Sequence, residues 1–282
     1  MVGVWYSICC FQKKLKLIKK IFTNMKNKIL QNSKLRCTRY RKKILKISQT
    51  VPALHIGGAF SSVEIVDCIF NLLKKKKDKF ILSKGHAGIL QYVVLNDLKI
   101  LSNKDLLNYC KKDGILGVHP DYGNPGIEAS TGSLGHGLAL AAGIAYASNK
   151  NDTYVLLSDG EMHEGSVWEA ALTISSINLN NLIIIIDYNG LQSSTWSKDT
   201  HPTLNPIDKK FKAFGWEVET CNGHNSYDIF QKINNRTKKK PFALVANTKK
   251  GYPISFMENV PKWHYRSPDK KEYTQALSEL DK

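Results

Sequence analysis

Residues 154–192 read YVLLSDGEMHEGSVWEAALTISSINLNNLIIIIDYNGLQ, and the rest of the chain is organised around them. Two short apolar runs, VLL and LIIIID, bracket the helical stretch GSVWEAALTISSI. That is the pattern of two buried parallel strands joined by a crossover helix. Each run ends in polar and glycine residues: Ser158-Asp159-Gly160 after the first, Asp187-Tyr188-Asn189-Gly190 after the second. Open α/β sheets place ligands at the carboxyl ends of their strands, so Asp159 and Asn189 are expected to converge. A carboxylate, an amide oxygen and a loop carbonyl are hard ligands suited to magnesium carrying phosphate oxygens. Gly160 leaves room for a diphosphate to approach the backbone. The same residues also fit a plain βαβ unit in which the aspartate caps the helix and Asn-Gly makes a turn.

Working outward, residues 26–50 have a helical, basic pattern that Pro52 ends. A loop LHIGG then leads into a helix capped by Ser61 or Ser62, with Glu64 in its first turn. Lys79 to Leu82 reads as a strand entering SKGHA and another helix, and Leu101 to Tyr109 as a further helix. An irregular loop, Gly114 to Gly126, holds His119. Ser130 to Ser148 is a glycine-rich loop running into a helix of small residues, its amides available to an anion or a cofactor ring. Beyond the central unit, a helix at Ile207–Phe214, a strand at Trp216–Thr220, a helix at Ser226–Thr237 and a strand at Phe242–Asn247 follow. Alternating strands and helices predict a doubly wound, mainly parallel sheet with helices on both faces.

The 282 residues, 42% hydrophobic, suffice for one large α/β domain. The net charge of +17 resembles that of a nucleic-acid binder until it is located. Fourteen of the basic residues and no acidic one lie in residues 1–50, which leaves +3 for the remainder. The basicity therefore belongs to the leader, and Lys74 to Lys77 reads as solvated surface, so no nucleic-acid partner is expected. Six cysteines show no CxxC and no metal spacing with histidine, as expected of reduced thiols in the cytoplasm. Residues 1–11 are apolar but too short to span a bilayer, and no membrane partner is expected. Residues 1–25 read as a basic leader, disordered or following a mis-assigned start since Met25 opens a plausible helix; an organelle presequence is the alternative. Residues 26–282 read as a single domain.

Four histidines, His55, His86, His119 and His136, stand in loops beside glycine. In order, their contexts and those of the central unit are LHIGG, LSKGHA, GVHPD, STGSLGHG, SDGEMHEG and DYNG. This series resembles the loops of the transketolase family, and residues 30–265 look like the N-terminal subunit of a split transketolase. Asp159, Gly160 and Asn189 also resemble the family's thiamin-diphosphate signature, with Ser158 in place of the first glycine.

The resemblance implies the thiamin-diphosphate-binding fold, with Asp159, Asn189 and the carbonyl of Leu191 as magnesium ligands. It implies that Gly160 and His86 meet the diphosphate, that Gly132 and Leu134 border the cofactor rings, and that His55, His119 and His264 serve the substrate channel. Glu164 and Glu169 match acidic residues linking paired sites across a dimer, and His136 carries no role. The activity implied is transfer of a two-carbon ketol unit from a ketose, phosphorylated or not, to an aldose. The glutamate that activates the aminopyrimidine belongs to the family's pyrimidine-binding domain, which these motifs lack. A separate C-terminal subunit in an α2β2 assembly is therefore expected. The alternatives are the alpha subunit of a two-oxoacid dehydrogenase and a non-catalytic regulatory relative. Departures from the pattern are Ser158, with backbone strain expected there, Ala53-Leu54 before His55, and Tyr265 with Arg266, a cation suited to phosphate or carboxylate.

Overall fold

VLL and LIIIID form adjacent parallel strands in a computed structural model. It describes residues 2–51, 54–148 and 150–282, with side chains from Lys20 onward except Phe22. Among the described residues the main sheet comprises β1 (Lys79–Leu82), β2 (Thr153–Ser158), β3 (Leu182–Tyr188), β6 (Glu217–Asn222) and β7 (Phe242–Asn247). Its order is β1-β2-β3-β7-β6, all parallel. A short antiparallel pair, β4 (Leu191–Gln192) and β5 (Thr195–Trp196), follows the central strand, where the sequence pattern predicts only a loop.

The central strands are buried on both faces, so their side chains divide between two cores instead of alternating core with solvent. Phe80, Tyr154, Leu156, Ile183, Ile185 and Leu244 point into one core. That core is closed by α1 (Val2–Ser48), α2 (Ile56–Ser61), α3 (Val63–Cys68), α4 (Gly88–Asp97) and the later helices α10 (Ser226–Asn234) and α11 (Lys270–Leu280). Ile81, Val155, Leu157, Ile184, Ile186 and Val245 point the other way. There they meet α6 (His136–Ser148), α7 (Gly165–Ser176) and α9 (Ile207–Ala213). The doubly wound sheet with helices on both faces is what the sequence predicts. Two helices lie outside these layers: α5 (Asn103–Leu107), shorter than expected, and α8 (Ser197–Thr200).

The basic N-terminal segment is partly neutralised by the domain. Arg36 pairs with Asp67, Arg39 with Asp97, and the buried Arg41 makes a two-pronged pair with Glu64. Of the expected leader, Met1 lies outside the described residues, as does Ala53 in the loop before His55.

Candidate active site at the carboxyl ends of the strands

Because all five strands run parallel, their carboxyl ends open on one edge, and the motif loops collect there. A cavity of about 220 Å³ is lined by residues of these loops: His55 and His86, Gly132 and Leu134, Ser158 and Gly160, Asn189 and Leu191 among them. His264 lies on the same wall, brought back by the chain after β7. Its ring is 5.1 Å from that of His55 and 5.6 Å from that of His86, while His55 and His86 are 5.3 Å apart. The half-buried His119 stands behind Gly132: a Cβ on that glycine, at φ +139°, would come within 2.8 Å of the imidazole. No side chain fits there, so Gly132 lets the two loops close. Glu164 and Glu169 are exposed, Glu164 just before α7 and Glu169 on it, and neither lines the cavity. The exposed His136 likewise stays outside it.

Beneath the cavity lies a charge network that no sequence motif marks as part of the site. Lys84 is fully buried, and its ammonium donates to Gly58 O (2.8 Å), Ser62 Oγ (3.0 Å) and Asp187 Oδ2 (2.6 Å). Burial alone would raise the pKa of Asp187, but Lys84 outweighs it, with Ser61 and Thr248 also donating, and holds the carboxyl below its usual range. Lys250, also buried, donates to Ser193 O (2.9 Å) and approaches His264 Nδ1 at 3.0 Å. Burial, then Lys84, lowers its pKa to about 8. As an acceptor from the ammonium, Nδ1 leaves the His264 proton on Nε2. The only signal in the sequence is position, since Lys84 lies within the quoted SKGHA.

Asp159 is fully buried and faces no basic partner at ion-pair distance among the described residues. Its oxygens accept from the amides of Gly160 and Gly190. Burial, then the neighbouring Asp187, raises its pKa to about 7. A buried carboxylate so placed favours a cation. No cluster of three or more His, Cys, Asp or Glu suited to a metal occurs among the described residues. One carboxylate, the Asn189 amide oxygen and a backbone carbonyl nevertheless form an oxygen set of the kind magnesium takes beside phosphate. Gly160 adds room: a Cβ there would already touch Gln192 at 3.3 Å. The residues present thus fit a magnesium–diphosphate group.

Two departures from the family pattern resolve locally. Ser158 ends β2 opposite Asp187 without a positive φ, and its hydroxyl accepts the amide of Glu161 at 3.2 Å, so the expected strain is absent. Arg266 is not a free cation for a substrate anion. It stacks on Trp263 at 4.3 Å and pairs with Glu272 at 2.7 Å. Tyr265 is exposed at the mouth, its ring 4.6 Å from that of His55.

The histidines are held neutral. Burial, then the charge of His119, lowers His55 to about 4, while burial, then Lys250, lowers His264 to about 3. Burial, then Lys84, places His86 well below its ordinary value. Unfolded histidines take up protons near pH 6.5, whereas these do so only at lower pH when folded. The unfolded state therefore binds more protons between about pH 6.5 and 4, and stability falls as pH falls through that window. Asp159 acts with the opposite sign, since its folded pKa of about 7 lies above its unfolded one. Urea unfolding of a His55→Gln/His264→Gln variant at pH 7.5 and 5 should show a smaller acid-side drop in midpoint than wild type. Equal drops would contradict neutral burial.

The family model described as "Transketolase, thiamine diphosphate binding domain" matches residues 55–279. One of the two apulose-4-phosphate transketolase chains of Actinobacillus succinogenes, itself named as a subunit, is 39% identical over 256 residues, covering 85% of this chain and 92% of the relative. A 6-deoxy-6-sulfo-D-fructose transketolase subunit of a Clostridium species is 34% identical over 245 residues, covering 81% and 88%. The solved transketolase from Leishmania mexicana superposes with a TM-score of 0.84 at 23% identity, over 89% of this chain and 41% of that one.

Proposed function

Because this chain belongs to the transketolase family, we propose that it is the diphosphate-binding subunit of a thiamin-diphosphate- and magnesium-dependent transketolase. The enzyme transfers a two-carbon ketol unit from a ketose or ketose phosphate to an aldose. The observation that carries this reading is the convergence of Asp159, Asn189, Leu191 and Gly160 with three neutral histidines around one cavity. The relatives named above are transketolase subunits, which favours this reading over a two-oxoacid dehydrogenase subunit.

Asp159, Asn189 and the carbonyl of Leu191 hold the metal, and Gly160, His86 and Lys250 face the diphosphate. Gly132 and Leu134 border the cofactor rings. When bound, thiamin diphosphate supplies the electron sink for breaking and making the carbon–carbon bond. This chain's part is to orient the reactants and move protons. His264, with its proton on Nε2, donates, while His55 and His119 accept from and return protons to ketose hydroxyls. The lowered values of His55 and His264 limit them as bases, and a diphosphate anion beside them shifts both back toward neutrality.

A second copy of the chain and a separate pyrimidine-binding subunit complete the site, in an α2β2 assembly. Leu140 and Tyr146 on α6, with Leu172 and Ile177 at α7, are about half or more exposed and suit burial against another chain. Glu164 and Glu169 lie at this same α7 surface, where residues linking paired sites belong. No helix among the described residues is long and apolar enough to cross a membrane. With free Cys37, Cys68, Cys110 and Cys221, a reducing cytoplasm suits the protein.

The test is a ketol-transfer assay on purified chain, with and without a candidate pyrimidine-binding subunit, alongside light scattering. Turnover should appear only in the mixture, as a species containing two of each subunit. Robust turnover by the isolated chain with thiamin diphosphate and magnesium would overturn the two-subunit reading.

A further inference from the structure

Glu161 has none of the roles given above, yet it is wholly buried at the meeting point of three motif loops. A single oxygen, Oε1, accepts from Ser83 Oγ in the loop after β1 and from the amide of Gly135 at 2.9 Å. Its own amide donates to Ser158 Oγ at the end of β2. The other oxygen, Oε2, is buried and without a hydrogen-bond partner among the described residues, and no ion pair neutralises the group. A buried carboxylate with one oxygen unsatisfied destabilises the fold, so its retention calls for a local benefit.

That benefit lies in the segment 131–135. At its start, Thr131 Oγ1 donates to Leu82 O at 2.7 Å, and the Thr131 amide donates to Pro120 O at 3.0 Å. At its end, Gly135 is held by Glu161. Between these anchors lie Gly132 and Leu134, both on the cavity wall. Gly135 has φ +87°, and a Cβ there would come within 2.6 Å of the Glu164 Cβ, so the loop is already seated closely on the chain entering α7. Without its second anchor the loop keeps one end only, and the wall residues lose their fixed position.

Resting on the proposed function, we infer that Glu161 is a positioning residue for thiamin diphosphate, its carboxylate fixing the 131–135 loop that presents Gly132 and Leu134 to the cofactor. It acts by reach rather than by charge. Glutamine keeps the reach and an oxygen acceptor, whereas aspartate keeps the charge but withdraws it by one methylene.

Amide hydrogen exchange on the full chain separates the two. In Glu161→Gln the amides of 131–136 should stay protected as in wild type; in Glu161→Asp they should exchange roughly tenfold faster, the effect of one lost hydrogen bond. Calorimetry with thiamin diphosphate and magnesium on the assembled complex should show binding on the order of tenfold weaker for Glu161→Asp alone, as for residues that orient a ligand. Unchanged loop protection and affinity in Glu161→Asp would overturn the inference. So would aspartate outperforming glutamine, or loss of protection extending to β3 in either variant. A wild-type complex that binds no cofactor would count against the functional reading instead, while the exchange comparison still decides the tether.

Discussion

Asp159→Ala should abolish magnesium-dependent binding of thiamin diphosphate while leaving the chain folded. Asp159 is the only charged group in the proposed ligand set, since Asn189 and Leu191 supply neutral oxygens. Its loss should therefore weaken binding beyond the roughly 10–100-fold typical of residues that merely orient a ligand. Folding should be nearly unaffected because two changes oppose each other. Gly160 and Gly190 lose their acceptor, a cost of about 1–3 kcal/mol. Against that, a carboxylate raised by burial and by Asp187 disappears. Thermal unfolding without cofactor reads this balance directly. A second signature follows from the pKa of about 7: near pH 7 about half the Asp159 carboxyls carry a proton, which a divalent cation displaces. Calorimetry in buffers of different ionisation enthalpy should show that release in wild type. Wild-type affinity in Asp159→Ala would remove Asp159 from the metal site.

The sheet is legible in the sequence because its evidence is local. Leu182–Tyr188 and Thr153–Ser158 are short apolar runs with a helix between them, and burial on both faces explains their lack of alternation. Asp159 shows how two readings of one residue can both hold: it accepts the Gly160 amide, as a cap would, and still points a carboxylate at the cavity edge. Lys84 and Lys250 are not legible as site residues. A lysine in a polar loop reads as solvated, and Lys84 is buried only because Gly58, Ser62 and Asp187, distant in sequence, supply its three acceptors. Arg266 fails in the opposite way. The sequence presents it as available, but Glu272, in the first turn of α11, and the Trp263 ring engage it. Periodicity reports the strands, while long-range polar partners decide which charges reach the cavity.

Lys84→Met should be the most destabilising single change near the site, by about 3–5 kcal/mol, the usual result of removing one partner from a buried ion pair. Lys84 and Asp187 are respectively 1% and 0% exposed as side chains, so no water replaces the lost ammonium. Asp187 would keep its hydrogen bonds from Ser61, Ser62, Thr248 and Asn189 but would be a buried, uncompensated charge. Three loops would also part company: Lys84 ties its own loop to Gly58 in α2 and to the end of β3. The pH dependence has a definite sign. In wild type, Asp187 is held below its ordinary pKa, so the pair's contribution is present above the unfolded value near 3.8 and is lost only in stronger acid. In Lys84→Met the same carboxyl favours its protonated form, its folded pKa moves above the unfolded one, and the deficit relative to wild type shrinks as pH falls. Urea unfolding at pH 8 and 5 measures both effects. A Lys84→Met/Asp187→Asn double variant, with no buried charge left unpaired, should recover much of the loss. A single variant as stable as wild type at pH 8, or a deficit that grows in acid, would show that the pair does not hold these loops.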